Sequence, residues 1–275
     1  MKKKTLLTLA CLFAALSLLA KDAPLRPFFD YSKIKGLGSF RWPYPYPVYG
    51  DIDSMVFLSS APKKEPKIKE DSKIKTVLKF NEKGDVDVVS IFLNDTLLHN
   101  TKVDYKYDEK GFPSESVSTI TEGNNTYTQK ITYRYNDQGK IANLTAYYKG
   151  GGIEKRINYI YDDNGQLIEE EAVSYYLYKK MTYNYDEKGN MTELTRYDDP
   201  KSKNFEEKIV YKYNKKGKLT EVNYLTSEGD IYLNCKLKCD KRGNVTDETM
   251  YEKGEFTEST KCLIKSTKCL ITYRK

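Results

Sequence analysis

The sequence predicts an all-β fold in which tandem β-hairpins form a long twisted or coiled antiparallel sheet. Three observations predict it. Glycine recurs at Gly84, Gly111, Gly139, Gly165, Gly189, Gly217 and Gly243, at spacings of 27, 28, 26, 24, 28 and 26 residues, the mark of a repeat architecture. Three residues before every one of them stands Asn or Asp: Asn81, Asp108, Asn136, Asp162, Asp186, Asn214 and Asp240. Before each corner the chain alternates apolar and polar residues, as in Ile131, Tyr133 and Tyr135 around Thr132 and Arg134, the period of a half-buried strand.

The corner follows from side-chain chemistry. An Asx side chain at the first position of a type I turn bonds to its own backbone, and glycine at the fourth takes the positive φ that a Cβ would strain. An apolar residue returns two positions later (Val86, Ile141, Leu167, Met191, Leu219, Val245). Later apolar positions such as Leu194 and Tyr197 break the parity, which calls for a bulge in the return strand. Length varies only in the connections between hairpins: Glu122–Asn125, Lys149–Gly152, Asp198–Asn204 and Ser227–Asp230. One side of the sheet therefore carries uniform corners and the other variable loops, where binding is expected.

In order along the chain, residues 1–20 have three lysines and then a short apolar run ending in Ala20, the pattern of a secretory signal; the expected location is periplasmic, cell-surface or secreted. A lipoprotein anchor at Cys11 is the lesser alternative, because Thr8 suits that motif poorly and the apolar run continues past it. No other stretch is apolar and long enough to cross a bilayer as a helix. Residues 21–74 form an aromatic, proline-rich arm and charged linker, with Trp42 among Pro43, Pro45 and Pro47; its SMVFLSS segment could add one strand. Residues 75–275 form the repeat domain, about seven and a half units. Near the end STKCLIK repeats as STKCLIT, and Ile271–Arg274 match the opening of one more hairpin, leaving an edge strand through which copies could pair.

The pattern Tyr-x-Tyr-Asp-x-x-Gly-x-Leu/Ile/Met, seen in YRYNDQGKI from Tyr133, YIYDDNGQL from Tyr159 and YNYDEKGNM from Tyr183, resembles the YD (Rhs-type) repeat of bacterial exported and surface proteins. The resemblance covers roughly residues 75 to 250. It implies a coiling β-sheet and, in some members, carbohydrate binding, adhesion or enclosure of a toxin. This chain has too few repeats for a large shell and no C-terminal cargo domain.

The chemistry is sparse. After residue 20 the chain has 43 Lys and Arg against 39 Asp and Glu, a net of +4 spread over every hairpin, which is no nucleic-acid footprint. His99 is the single histidine, so a zinc site or a His-based triad lacks its second member. The Asp-rich corners lack calcium-loop spacing, and nothing singles out an acid pair for glycoside hydrolysis. Cys235 and Cys239 lie about 13 Å apart on a strand, too far to bridge each other; Cys262 with Cys269, or either with the strand that carries Cys235 and Cys239, are the pairs left open beside buried thiols. No catalytic residue, metal or cofactor is expected. The 25 tyrosines mainly fill the apolar face, while Tyr148, Tyr176 and Tyr178 lie off it as candidate contacts for an unknown glycan or protein ligand.

Overall fold

The computed structural model describes residues 50–60, 72–174, 178–197, 205–253 and 261–274, with the backbone alone at 60, 252, 253 and 261–266. Residues 1–20, most of the arm, Tyr176 and residues 198–204 lie outside the described residues. Sixteen antiparallel strands close into one barrel. They are β1 (Ile52–Ser60), β2 (Lys73–Phe80), β3 (Val86–Leu93), β4 (Thr96–Tyr107), β5 (Pro113–Glu122), β6 (Asn125–Tyr135), β7 (Ile141–Tyr147) and β8 (Ile153–Tyr161). The second half is β9 (Leu167–Ser174), β10 (Tyr178–Tyr185), β11 (Met191–Tyr197), β12 (Glu207–Tyr213), β13 (Leu219–Leu225), β14 (Ile231–Cys239), β15 (Val245–Lys253) and β16 (Lys261–Tyr273).

Closure corrects two expectations. The sheet does not stay open, and the C-terminal strand is not an edge for self-association: β16 pairs with β1, from Ile52↔Tyr273 to Ser59↔Thr267, so every strand has two neighbours. The SMVFLSS segment supplies that last strand. The seam is built as an eighth corner cut open. In intact corners the Asx N–H donates to the carbonyl of the residue after glycine, as Asp186 does to Asn190 (2.9 Å). At the seam Arg274 takes the Asx place and donates to Asp51 O (3.1 Å), while Gly50, with φ 89°, takes the glycine place. The Arg274 guanidinium also pairs with Asp51 and donates to Phe80 O and Asn81 O, tying the seam to the first corner. Each hairpin buries its face only against its neighbours, and closing the ring leaves none without one.

The seven intact corners share one geometry. Each glycine N–H donates to its Asx carbonyl at 2.9–3.3 Å, and each glycine has φ between 73° and 98°. In six corners the Asx Oδ1 also accepts from the N–H two residues on, as at Lys188 to Asp186 (3.0 Å). All seven hairpins slip register just before the corner, as where Asn184↔Glu193 is followed by Tyr185↔Met191. This is the bulge that the broken parity required.

The inward positions form layers counted back from the corner. Eight residues before each glycine stand Thr76, Val103, Ile131, Ile157, Met181, Ile209 and Cys235; six before stand Leu78, Tyr105, Tyr133, Tyr159, Tyr183, Tyr211 and Leu237. Val89, Ile91, Ile157 and Cys235 have no exposed surface, so the middle of the barrel is a packed core; each such aliphatic side chain contributes about 1.5–3 kcal/mol. The layer nearest the loops is polar at five of its seven positions, Thr101, Gln129, Lys155, Lys179 and Glu207, ten residues before their glycines, and apolar at Ile74 and Leu233.

Candidate functional site

The two rims of the barrel differ in what they offer. At the corner rim the ladder between neighbouring hairpins stops early: β9 and β10 pair only from Glu169↔Thr182 to Val173↔Tyr178. In the third to sixth copies a tyrosine four residues before the glycine bridges the gap, while the first copy has Phe80 there. Tyr135 donates to Pro113 O (2.8 Å), Tyr161 to Ile141 O (2.9 Å), Tyr185 to Leu167 O (2.8 Å) and Tyr213 to Met191 O (2.9 Å). Where Cys239 replaces tyrosine, its thiol makes the same bond to Leu219 O (3.2 Å). At the ring's ends Tyr107 and Tyr273 turn to the side chains of Asp85 and Asp240 instead. Burial and these carboxylates push both phenols up to about 12. Sequence reasoning read these tyrosines as core filler. The signal it missed was chemical: a latch needs a hydroxyl, and the position takes tyrosine rather than phenylalanine in every copy from the second to the sixth.

The outer wall is charged. Nine residues before the glycine the outward position holds Lys75, Lys102, Lys130, Arg156, Lys180 and Lys208, and the return strands answer with Glu115, Glu169, Glu193 and Glu221. Lys130–Glu115, Lys180–Glu169 and Lys208–Glu193 pair across strands. Glu221 is held down at about 2: partial burial opposes this, but hydrogen bonds from Lys236, Asn223 and Lys212 outweigh it. A wall facing lipid would carry an apolar band with aromatic girdles, and each lysine at mid-bilayer would cost about 2–4 kcal/mol. Those positions nine before the glycines carry cations instead, beside a few exposed apolar residues such as Ile160 and Leu270.

The loop rim is apolar by comparison. Leu97, Tyr127, Tyr148, Ile153, Val173 and Ile231 are exposed there at strand ends. The β3–β4 turn sets Asn94 and Asp95 at φ 47° and 65°, a left-handed pair that Asn and Asp tolerate. The β7–β8 connection is a glycine-ended turn in which Tyr148 N donates to Gly152 O (2.8 Å). Tyr148, 52% exposed, lies at the mouth of a groove of about 360 Å³ on the wall of β6 and β7. Thr128, Lys130, Thr132, Tyr147, Lys149 and Gly151 complete it. The groove joins two tyrosine rings, of which Tyr148 is the exposed one, to several hydroxyls and the ammonium groups of Lys149 and of Lys130, which is paired with Glu115. Tyr178, also a sequence candidate, is half-buried on β10, with its hydroxyl on Glu171 (2.8 Å); it does not line the groove.

Two polar networks lie inward of this rim. His99 Nδ1 meets Glu122 (3.2 Å) and Nε2 meets the Thr101 hydroxyl (2.8 Å), while Tyr127 donates to the same carboxylate (3.4 Å). The order acid, imidazole, hydroxyl is that of a nucleophile relay, but Thr101 is fully buried and no substrate reaches it. Burial lowers the His99 pKa, against the pull of Glu122. Across the barrel Glu207 receives Arg196 and the Tyr232 hydroxyl. No group of three or more His, Cys, Asp or Glu among the described residues could hold a metal. Cys235, Cys239 and Cys269 are free thiols, and burial pushes Cys269 up to about 12.

No known family model matches the sequence, and no curated protein is similar to it in sequence. In fold the chain is similar to a porin-like protein from Bacteroides uniformis ATCC 8492 known from a crystal structure. The two share 12% identity and a TM-score of 0.53, over 82% of this chain and all of the other. A TcdB2–TccC3 structure also aligns, at 12% identity and TM-score 0.29, over 71% of this chain and 14% of that one, a score too low to carry an argument. The likeness to the porin-like protein is one of fold, and fold alone assigns no function.

Proposed function

We propose that this is an exported, non-catalytic binding module standing in water at the bacterial cell surface or in the periplasm, with carbohydrate as its ligand. One observation carries the reading: the Tyr148 groove, an exposed aromatic ring beside Thr128, Thr132 and Tyr147 hydroxyls. A flat apolar ring with a polar tip stacks on a sugar face while hydroxyls and ammonium groups take its edges. The corner motif and the amino-terminal signal pattern support kinship with YD-repeat exported proteins. A protein ligand would use the same rim. Assembly through an open edge loses its basis once β16 meets β1.

A glycan and protein-ligand binding screen tests this. Saturable glycan binding is expected, weakened at least about fivefold by Tyr148→Ala, which removes a stacking contact of about 1–3 kcal/mol by analogy with base stacking. Binding that survives both Tyr148→Ala and replacement of Lys149–Gly152 would overturn the assignment.

A further inference from the structure

We propose a second site at the opposite rim: a cleft for a compact polyanion, specifically an oligosaccharide carrying sulfate or phosphate esters. It lies across the corners ending in Gly189, Gly217 and Gly243 and encloses about 550 Å³. Lys188, Lys215, Lys216, Lys218, Lys241 and Arg242 line it, over a floor that includes Tyr213, Leu219 and Val245.

Three features separate this cluster from an ordinary lysine-rich surface. First, charge is segregated around the rim. Counted from the Asx to the residue after glycine, the first five corners carry −1, −1, 0, −2 and −1, whereas the sixth carries +3 and the seventh +1, so the positive charge sits on the last two corners and Lys188 faces them from the edge of the fifth. Second, Lys188, Lys215, Lys216 and Lys241 have no ion pair among the described residues, whereas Lys130, Lys180, Lys208 and Lys212 on the wall are answered by cross-strand glutamates. Third, the two Asx carboxylates beside them, Asp186 and Asp240, are committed elsewhere, and Glu187 is the exposed acid that remains in the fifth corner. Asp186 accepts from the N–H groups of Lys188 and Asn190 and from the Asn190 amide, while Asp240 accepts from Arg242 N, Asn244 N and the Tyr273 hydroxyl. The cleft is also held in shape. Lys218 donates to Asp240 O, joining two corners, and Arg242 lies 4.0 Å over the Tyr273 ring, which orients its fork of donors.

Size chooses the ligand class. Three corners span four strand spacings, roughly 20 Å, and the corner before them carries two aspartates, Asp162 and Asp163. A long polymer backbone would run onto the acidic part of the rim, whereas a short, densely charged saccharide fits inside the positive part.

Titration calorimetry on the purified chain tests the site with a sulfated hexasaccharide, its desulfated form, a single-stranded oligonucleotide of equal charge, and vesicles bearing a phosphorylated glycolipid. The sulfated sugar is expected to bind, and to weaken at least about tenfold between low and physiological salt as screening sets in. The desulfated form should not bind. The triple variant Lys215→Glu, Lys216→Glu, Lys241→Glu should lose binding, the milder triple Gln variant should retain a reduced part, and Lys110→Glu at a distant corner should change nothing. Tyr148→Ala should leave this binding intact, which separates the two sites. Equal binding by wild type and the triple Glu variant, or by both sugars, would overturn the site; tighter binding to the oligonucleotide or the vesicle would overturn the ligand class.

Discussion

The corner rim and the loop rim are made by the same sixteen strands, yet one repeats itself throughout and the other only in part. At the corner rim the Asx–glycine bonds and the tyrosine latches recur with distances that agree within a few tenths of an ångström. At the loop rim the two-residue Asn94–Asp95 turn and the Gly123 turn differ from each other, while the turns at Gly151 and Gly229 repeat the corner's backbone bonds with Tyr148 and Thr226 in place of the Asx. Sequence is repeated where a backbone geometry must be met and a neighbouring unit must be held. It diverges where a connection has only to span a gap and present a surface.

That contrast can be broken most directly at a corner. Gly217→Val places a β-branched residue at φ 74°; no atom would obstruct its Cβ, so the loss measures backbone strain alone. A loss of roughly 1–3 kcal/mol in a denaturant titration is expected, and none would show that the corner does not depend on glycine. A latch should matter somewhat less. Tyr185→Phe keeps the ring and leaves Leu167 O without its donor, for an expected loss of about 0.5–1.5 kcal/mol; Cys239→Ser, which keeps a donor, should be milder.

Acid should act through the loop-rim side of the barrel. The folded His99 pKa lies below its unfolded value of about 6.5, so the unfolded chain takes the proton first. The associated stability is present above about pH 6.5 and is lost as pH falls through the folded pKa. Denaturation midpoints should drop over that window, and His99→Gln should flatten the drop; an unchanged slope would count against a buried neutral imidazole. The smallest effect belongs to the loops themselves. Two residues inserted between Lys149 and Gly151 should cost below about 0.6 kcal/mol, far less than the single change at Gly217.

Some of this was legible in the sequence because it is local. The turn bonds of a corner lie within five consecutive residues, so the Asx and glycine spacing suffices, and the bulge is implied by Leu194 and Tyr197 falling on the wrong parity. The latch was half legible: Tyr135, Tyr161, Tyr185 and Tyr213 are conspicuous, but their acceptors lie 18–22 residues away, in the preceding unit. Of the candidate ligand contacts, Tyr148 lines a groove and Tyr178 is tied to Glu171 on another strand, a difference that no sequence pattern records.

By itself the sequence determined the unit: strand, corner, bulged return, and the side on which length varies, because each depends on residues that are neighbours in the chain. The tertiary structure alone decided that the units close into a ring, that Gly50 and Arg274 rebuild a corner from opposite ends, and that one arc of the corner rim gathers the unpaired lysines. Closure depends on twist and stagger summed over all sixteen strands. No single repeat carries that sum, so it becomes visible only when β16 reaches β1.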